Sequence, residues 1–226
     1  MTGGAGGLGT AIVERLRAED LDVEILDLTT GFDVTDETAW ESVGPVDVAC
    51  LNAGVLGDEH DPARISSESY RRSMSVNVDG VFFGIRRLAQ VMPDGGRIVA
   101  TASLAGLIGM PSEPVYAATK HAVVGFVRSV APTLKQRGIS INAVCPGIAD
   151  TAMVADDARV YFEAIGFPLV APAAVADAVW VALESGLTGH AWGVQPGMPA
   201  FDFRFPNLPG ARRADGTVVA PPPLTD

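Results

Sequence analysis

Short apolar runs alternate along this chain with longer stretches of helical periodicity, and no other feature narrows the possible folds as far. The runs at 23–28, 46–51, 97–102, 139–145 and 190–195 read as strands. Between them, 8–18 carries Ile12, Val13 and Leu16 on one helical face. Residues 67–91, 114–137 and 172–184 read as further helices, the last opening at Pro172. Such alternation builds a parallel sheet with helices on both faces, so the expected fold is α/β and doubly wound. No internal repeat or linker interrupts the pattern before residue 195. Prolines then crowd the chain at Pro196, Pro199, Pro206, Pro209 and 221–223, so 1–197 reads as one domain and 198–226 as a partly irregular extension.

Two places break the pattern. A glycine-rich segment begins at Thr2, where a doubly wound fold needs a central strand of about 5–6 residues running into it. Losing that strand forfeits several buried side chains at roughly 1.5–3 kcal/mol each, against a net stability of about 5–15 kcal/mol. The expectation is that the natural start lies a few residues upstream, or that another segment fills the place. Secondly, five residues separate Asp27 from Asp33, too few for a crossover helix, which needs about 10–12. The helix after the second strand is therefore expected to be missing, with a vestigial third strand around Phe32 and Val34.

The formal net charge of −11 repels a phosphate backbone and argues against nucleic acid as a partner. No leader and no 18-residue apolar run is visible, so a cytoplasmic protein without a membrane span is expected. Cys50 and Cys145 each lie inside an apolar run and read as small core hydrophobes. His60 and His190 have no partners at ligand spacing, so no metal site is expected. His121 adjoins Lys120 in sequence but faces another direction on the helix. Arg71, Arg72, Arg86 and Arg87 read as a solvated or subunit-contact face.

The residues that carry chemistry fall at strand ends. Thr2, Gly3, Gly7, Leu8 and Gly9 open a helix, where glycines let the backbone approach a pyrophosphate and free N–H groups supply positive potential. Asp27 closes an apolar run eighteen residues after Gly9, placed to accept ribose hydroxyls. A 2′-phosphate would be repelled there, since Leu28 follows and no basic residue adjoins, which favours NAD. Asn52, Ala53 and Gly54 end a later strand; Pro146, Gly147, Ile148 and Thr151 end another on the same side. Tyr116 and Lys120, four apart on a helix, can point into one cleft, where an ammonium beside a phenol should lower the phenol's pKa. Ser103 stands thirteen residues before Tyr116, and Asn77 lies upstream of both.

Taken in order and spacing, these motifs resemble the short-chain dehydrogenase/reductase family over residues 2–197, a single-domain Rossmann-like fold. The resemblance implies Asn77, Ser103, Tyr116 and Lys120 as the catalytic group, and Asp33 with Val34 as the adenine-contacting pair. Leu51 replaces the first Asn of the family's Asn-Asn-Ala-Gly motif. It implies Tyr116 as general acid/base and Lys120 as the cation that tunes it and bonds the nicotinamide ribose. Ser103 would polarise the substrate oxygen, and Asn77 would hold a water. It also implies a homodimer or homotetramer through the helices at 67–91 and 114–137. Apolar residues such as Leu104, Ile108, Met153, Tyr161 and Phe167 suit a hydrophobic secondary alcohol or ketone. Two rivals remain. A nucleotide-sugar epimerase conflicts with the glycine spacing and the short C-terminal part; an idle NAD-binding regulator would leave all four catalytic positions filled without use.

Overall fold

Side chains in the central strands alternate between two apolar layers, and that alternation fixes where every helix packs. The computed structural model describes residues 1–57, 59–206 and 209–219. Parallel strands β1 (Val48–Leu51), β2 (Arg97–Thr101), β3 (Ser140–Pro146) and β4 (Ala191–Val194) lie side by side in chain order. A two-residue β5 (Phe201–Asp202) adds antiparallel to β4. Helices are α1 (Gly7–Arg17), α2 (Ser67–Met74), α3 (Gly80–Val91), α4 (Pro114–Lys135), α5 (Asp156–Ala164) and α6 (Pro172–Glu184).

Ala49, Leu51, Ile98, Ala100, Ile141 and Ala143 face α3 and α4, whose Ile85, Leu88, Val123 and Val127 complete one core. Cys50, Val99 and Val144 face the other way, against Ile12 and Leu16 of α1 and Val175, Val179 and Ala182 of α6. A period of two in the strands thus meets a period near four in the helices on each side. Pro114 and Pro172 begin α4 and α6, where a missing N–H costs nothing. The buried Asn142 is satisfied: its amide donates to the Ala182 and Leu187 carbonyls, and its oxygen accepts the His190 N–H at 3.0 Å. Both cysteines are free and buried in the core.

Several expectations change. Residues 23–28 do not form a strand: they touch the sheet through one bridge, Leu26 with Thr2, because the neighbour they would pair with is a stub. Thr2 alone stands between them and β1, its N–H donating to the Cys50 carbonyl at 3.0 Å. No third strand forms at 32–34; instead Phe32 is buried edge-on against Trp40, whose indole donates to the Val34 carbonyl. The long helix at 67–91 is broken by a π turn at Ser75–Asp79. The extension from residue 198 begins in the sheet: β5 pairs with β4, Phe203 and Phe205 pack on the core, and Arg128 stacks 3.6 Å over Phe205. The prolines at 221–223 lie outside the described residues. Among the described residues, no helix is long and apolar enough to cross a membrane.

Candidate active site

The carboxyl ends of β1, β2 and β3 open on one side of the sheet, and the N-termini of α1 and α4 meet them there. Ser103 follows β2, its hydroxyl donating to the Pro146 carbonyl at 3.3 Å and accepting the Ala105 N–H at 3.1 Å. Tyr116 sits in the first turn of α4 and hydrogen-bonds with the Ser103 side chain. Lys120, one turn later, is 3% exposed; its Nζ lies 5.5 Å from the Tyr116 ring centroid and donates to the Thr101 carbonyl at 2.9 Å. Asn77 is fully buried in the π turn. These four residues therefore converge.

The electrostatics here differ from expectation. Burial outweighs the nearby ammonium: the Tyr116 phenol is pushed up to about 12 by desolvation, against which the Ser103 hydrogen bond works and to which Glu113 adds. The same desolvation brings Lys120 down to about 8. The lowered phenol expected from adjacency is thus absent from the protein by itself, because removing a phenolate from water costs more than a cation bonded elsewhere returns. Asn77 spends its side chain on protein: its amide donates to the Val55 carbonyl at 2.8 Å and to Thr119 Oγ1 at 3.0 Å, while its oxygen accepts the Val55 N–H. It staples the π turn to the segment after β1.

The glycine segment makes a cradle that larger residues would fill. A Cβ on Gly9 would overlap the Gly3 carbonyl oxygen, one on Gly7 would fall 3.0 Å from Thr151, and Gly3 itself has φ of +61°. At Gly54 a Cβ would come within 3.3 Å of both Lys120 Nζ and Asn77 Oδ1. Gly6 caps α1 without a side chain, leaving the first-turn N–H groups directed outward. Asn52 holds the loop, its N–H donating to Thr2 Oγ1 at 2.9 Å and its amide to the Gly3 carbonyl at 3.1 Å, while Thr101 Oγ1 donates to its oxygen. Asp27 accepts from Thr29 and from the Ala5 N–H at 3.2 Å, and the Thr29 bonds hold it below the usual carboxylate range. It touches the glycine loop and stays ionised. These residues fit a dinucleotide: a bare backbone cradle, a helix N-terminus and a carboxylate beside it.

The remaining expected residues divide. Ala53 meets Thr2 through its N–H, and Gly147 donates to the Val194 carbonyl; Ile148 accepts from Val170, tying the loop after β3 to the segment beyond α5. Leu28 is 73% exposed, Leu8 is partly exposed, and Asp33 spends its carboxylate on Thr35. Val34 is buried, with a Cβ on Gly80 meeting it at 3.0 Å. Sequence reasoning passed over Thr101, Thr119 and Glu113. Glu113 accepts the Gly57 N–H at 3.0 Å and stands at the N-cap of α4, three residues before Tyr116. Helix α5 buries no side chain; its Arg159 pairs with Asp150 and donates to the Thr151 carbonyl, which ties it to the loop after β3. Among the described residues, no three metal-binding side chains cluster.

Known proteins resemble this chain in sequence and fold. The family model described as short chain dehydrogenase matches residues 27–160. Levodione reductase from Leifsonia aquatica is 32% identical over 186 residues, 68% of this chain and 70% of that protein. A solved levodione reductase structure superposes with a TM-score of 0.78 at 27% identity, covering 87% of this chain and 95% of that one. Cyclohexanol dehydrogenase from an Acinetobacter species is 38% identical over 122 residues, 53% of this chain and 49% of that enzyme. A structure of BdcA in complex with NADPH matches with a TM-score of 0.73 at 25% identity, over 89% of this chain and 94% of that one.

Proposed function

The chain belongs to the short-chain dehydrogenase/reductase family, and from that premise we propose that it moves a hydride between NAD(H) and a hydrophobic secondary alcohol or ketone. The observation that carries this reading is the convergence of Tyr116, Ser103 and Lys120 at the strand ends beside the glycine cradle. When bound, the nicotinamide ring supplies or receives the hydride. The chain's own groups manage the oxygen. In reduction the Tyr116 hydroxyl gives its proton to the nascent alkoxide, and the Ser103 hydroxyl, turned from the Pro146 carbonyl, donates a second hydrogen bond that stabilises the charge. In oxidation the same phenol oxygen takes the alcohol proton. Lys120 holds positive charge behind the phenol, and Asn77 keeps the Val55 segment and α4 in register.

Asp27 supports NAD over its 2′-phosphorylated relative, because an ionised carboxylate adjoins the cradle. NADPH in the BdcA structure makes this a question for direct measurement. A hydrophobic substrate is supported by the exposed apolar side chains of the α5 region, Met153, Val160, Tyr161 and Phe167, and by relatives named for levodione and cyclohexanol. We further propose a cytoplasmic homodimer or homotetramer built on α3 and α4, where Phe82 is 40% exposed against Phe126. The test is turnover of cyclic secondary alcohols and ketones with NAD(H) and NADP(H). Tyr116→Phe should lower kcat by about 10²–10⁴ while cofactor still binds. Undiminished turnover in that variant sinks the assignment.

A further inference from the structure

The chain leaving β1 is fastened beside the catalytic group at three points. Asn52 ties it to the glycine cradle, its amide donating to the Gly3 carbonyl at 3.1 Å. Asn77 holds Val55 at both backbone groups. The third fastening is Glu113, whose Oε2 accepts the Gly57 N–H at 3.0 Å. Glycine at 57 permits this approach, since a Cβ there would fall 2.8 Å from that oxygen. The first two anchors are neutral amides. A neutral acceptor would hold the Gly57 N–H as well, so the clamp alone leaves the carboxylate of Glu113 without a use for its charge.

That charge stands next to the acid/base group. Glu113 is the N-cap of α4, yet it makes no side-chain cap hydrogen bond there; its bond to Gly57 turns it toward the loop instead. Tyr116 follows three residues later. Burial does most to keep the proton on that phenol, the Ser103 hydrogen bond works against it, and Glu113 adds to burial ahead of Cys145. Cys145 faces the phenol from β3, its thiol itself held up at about 12 by burial and so uncharged at pH 7. Lys120 faces the ring from the same helix. The ionisable residues of α2 and the π turn, Glu68, Tyr70, Arg71, Arg72 and Asp79, are exposed, and Leu104–Gly106 carries none.

We infer that Glu113 is a positioning residue with two tasks: it clamps Gly57 to the start of α4, and it sets a negative charge beside the acid/base tyrosine. Removing the charge while keeping the bond makes the phenolate more accessible, so alcohol oxidation reaches a given rate at lower pH. That kinetic consequence rests on the hydride-transfer reading; the clamp and the charge beside the phenol do not.

Two variants separate the tasks. Glu113→Gln keeps an acceptor and loses the charge, whereas Glu113→Ala loses both. Where the alanine variant fails to fold, Glu113→Ser retains a capping side chain too short to reach Gly57. Amide exchange at Gly57, followed by NMR, should speed about tenfold or more without the clamp and far less in Glu113→Gln. Tyrosinate absorbance, read within milliseconds of a jump to about pH 11, reports the charge. Subtracting Tyr116→Phe in each background isolates position 116 from Tyr70 and Tyr161. The ionised fraction at 116 should rise about threefold in Glu113→Gln, and the oxidation profile should move down by about half a pH unit. A tyrosinate fraction equal to the parent's overturns the inference, as does Gly57 exchange untouched by loss of the clamp. More tyrosinate in Glu113→Gln from a parent that turns over no alcohol or ketone upholds the role of Glu113 and sinks the hydride-transfer reading instead.

Discussion

Desolvation and charge compete at Tyr116 and Lys120, and the outcome sets two pH dependences. With the phenol up at about 12, the base needed for alcohol oxidation is scarce at pH 7. Oxidation should climb roughly tenfold per pH unit up to about pH 8, where Lys120 still carries its charge, while ketone reduction, which uses the phenol, stays level over that range. A pH–rate profile for oxidation that is flat above pH 7 contradicts the raised phenol. Lys120 works in the other direction for stability. Its folded-state value is near 8 and its unfolded value 10.5, so between those the unfolded chain binds more protons and stability rises with pH. Below pH 8 the whole cost of the buried ammonium is present. Lys120→Met should therefore be more stable than the parent at pH 7, by on the order of 3 kcal/mol, with the difference fading by pH 10.5. Urea unfolding at pH 7 and pH 10 checks it. Tyr116 adds the opposite slope above pH 10, where the unfolded phenol ionises and the folded one does not. Adjacency in sequence made this pair visible; the sign of the shift was not legible, because it depends on burial that no spacing encodes.

At the level of elements, backbone room decides which glycines matter. Gly9→Ala drives a methyl into the Gly3 carbonyl, so α1 must move and the cradle must open. Gly125, inside α4, has open space within 4 Å of the point where a methyl would sit, so Gly125→Ala should stabilise by about 0.5–1 kcal/mol. Thermal unfolding with NAD titration separates them: loss of cofactor binding at position 9, a higher midpoint with unchanged binding at 125. Asn77→Ala leaves the Val55 N–H and carbonyl without their partner and should cost about 1–3 kcal/mol per group left unsatisfied. The helices with one apolar face were readable from periodicity, as Ile12, Val13 and Leu16 in α1 show. The π turn was not, since Ser75, Val76 and Val78 carry no breaker. Nor was α5, none of whose side chains is buried in the core.

Across the molecule, the residues at 23–28 show why a strand-like pattern is insufficient: Val23, Ile25 and Leu26 have the right chemistry, but strands exist only in pairs, and their neighbour is one threonine wide. The glycine loop and Asp27 still meet, because their contact depends on loop backbone and one carboxylate rather than on the ladder. The same geometry places Asp27 and the cradle on the least supported side of the sheet, while Ser103 follows β2 and Tyr116 and Lys120 lie on α4, which packs against the central strands. A dinucleotide spanning both would join them. NAD at a hundred times its Kd should then add about 2.7 kcal/mol of stability, moving the midpoint by roughly 5–10 °C. NADP at the same concentration should move it less, because its 2′-phosphate meets an ionised carboxylate that Thr29 and Ala5 hold in place. Asp27→Ala removes that repulsion along with the ribose acceptor, so the NAD shift should shrink and the NADP shift should hold or grow. Equal shifts from both dinucleotides in the parent protein would remove Asp27 as the selecting group and leave the cradle, which reads only the shared pyrophosphate, as the whole of the recognition.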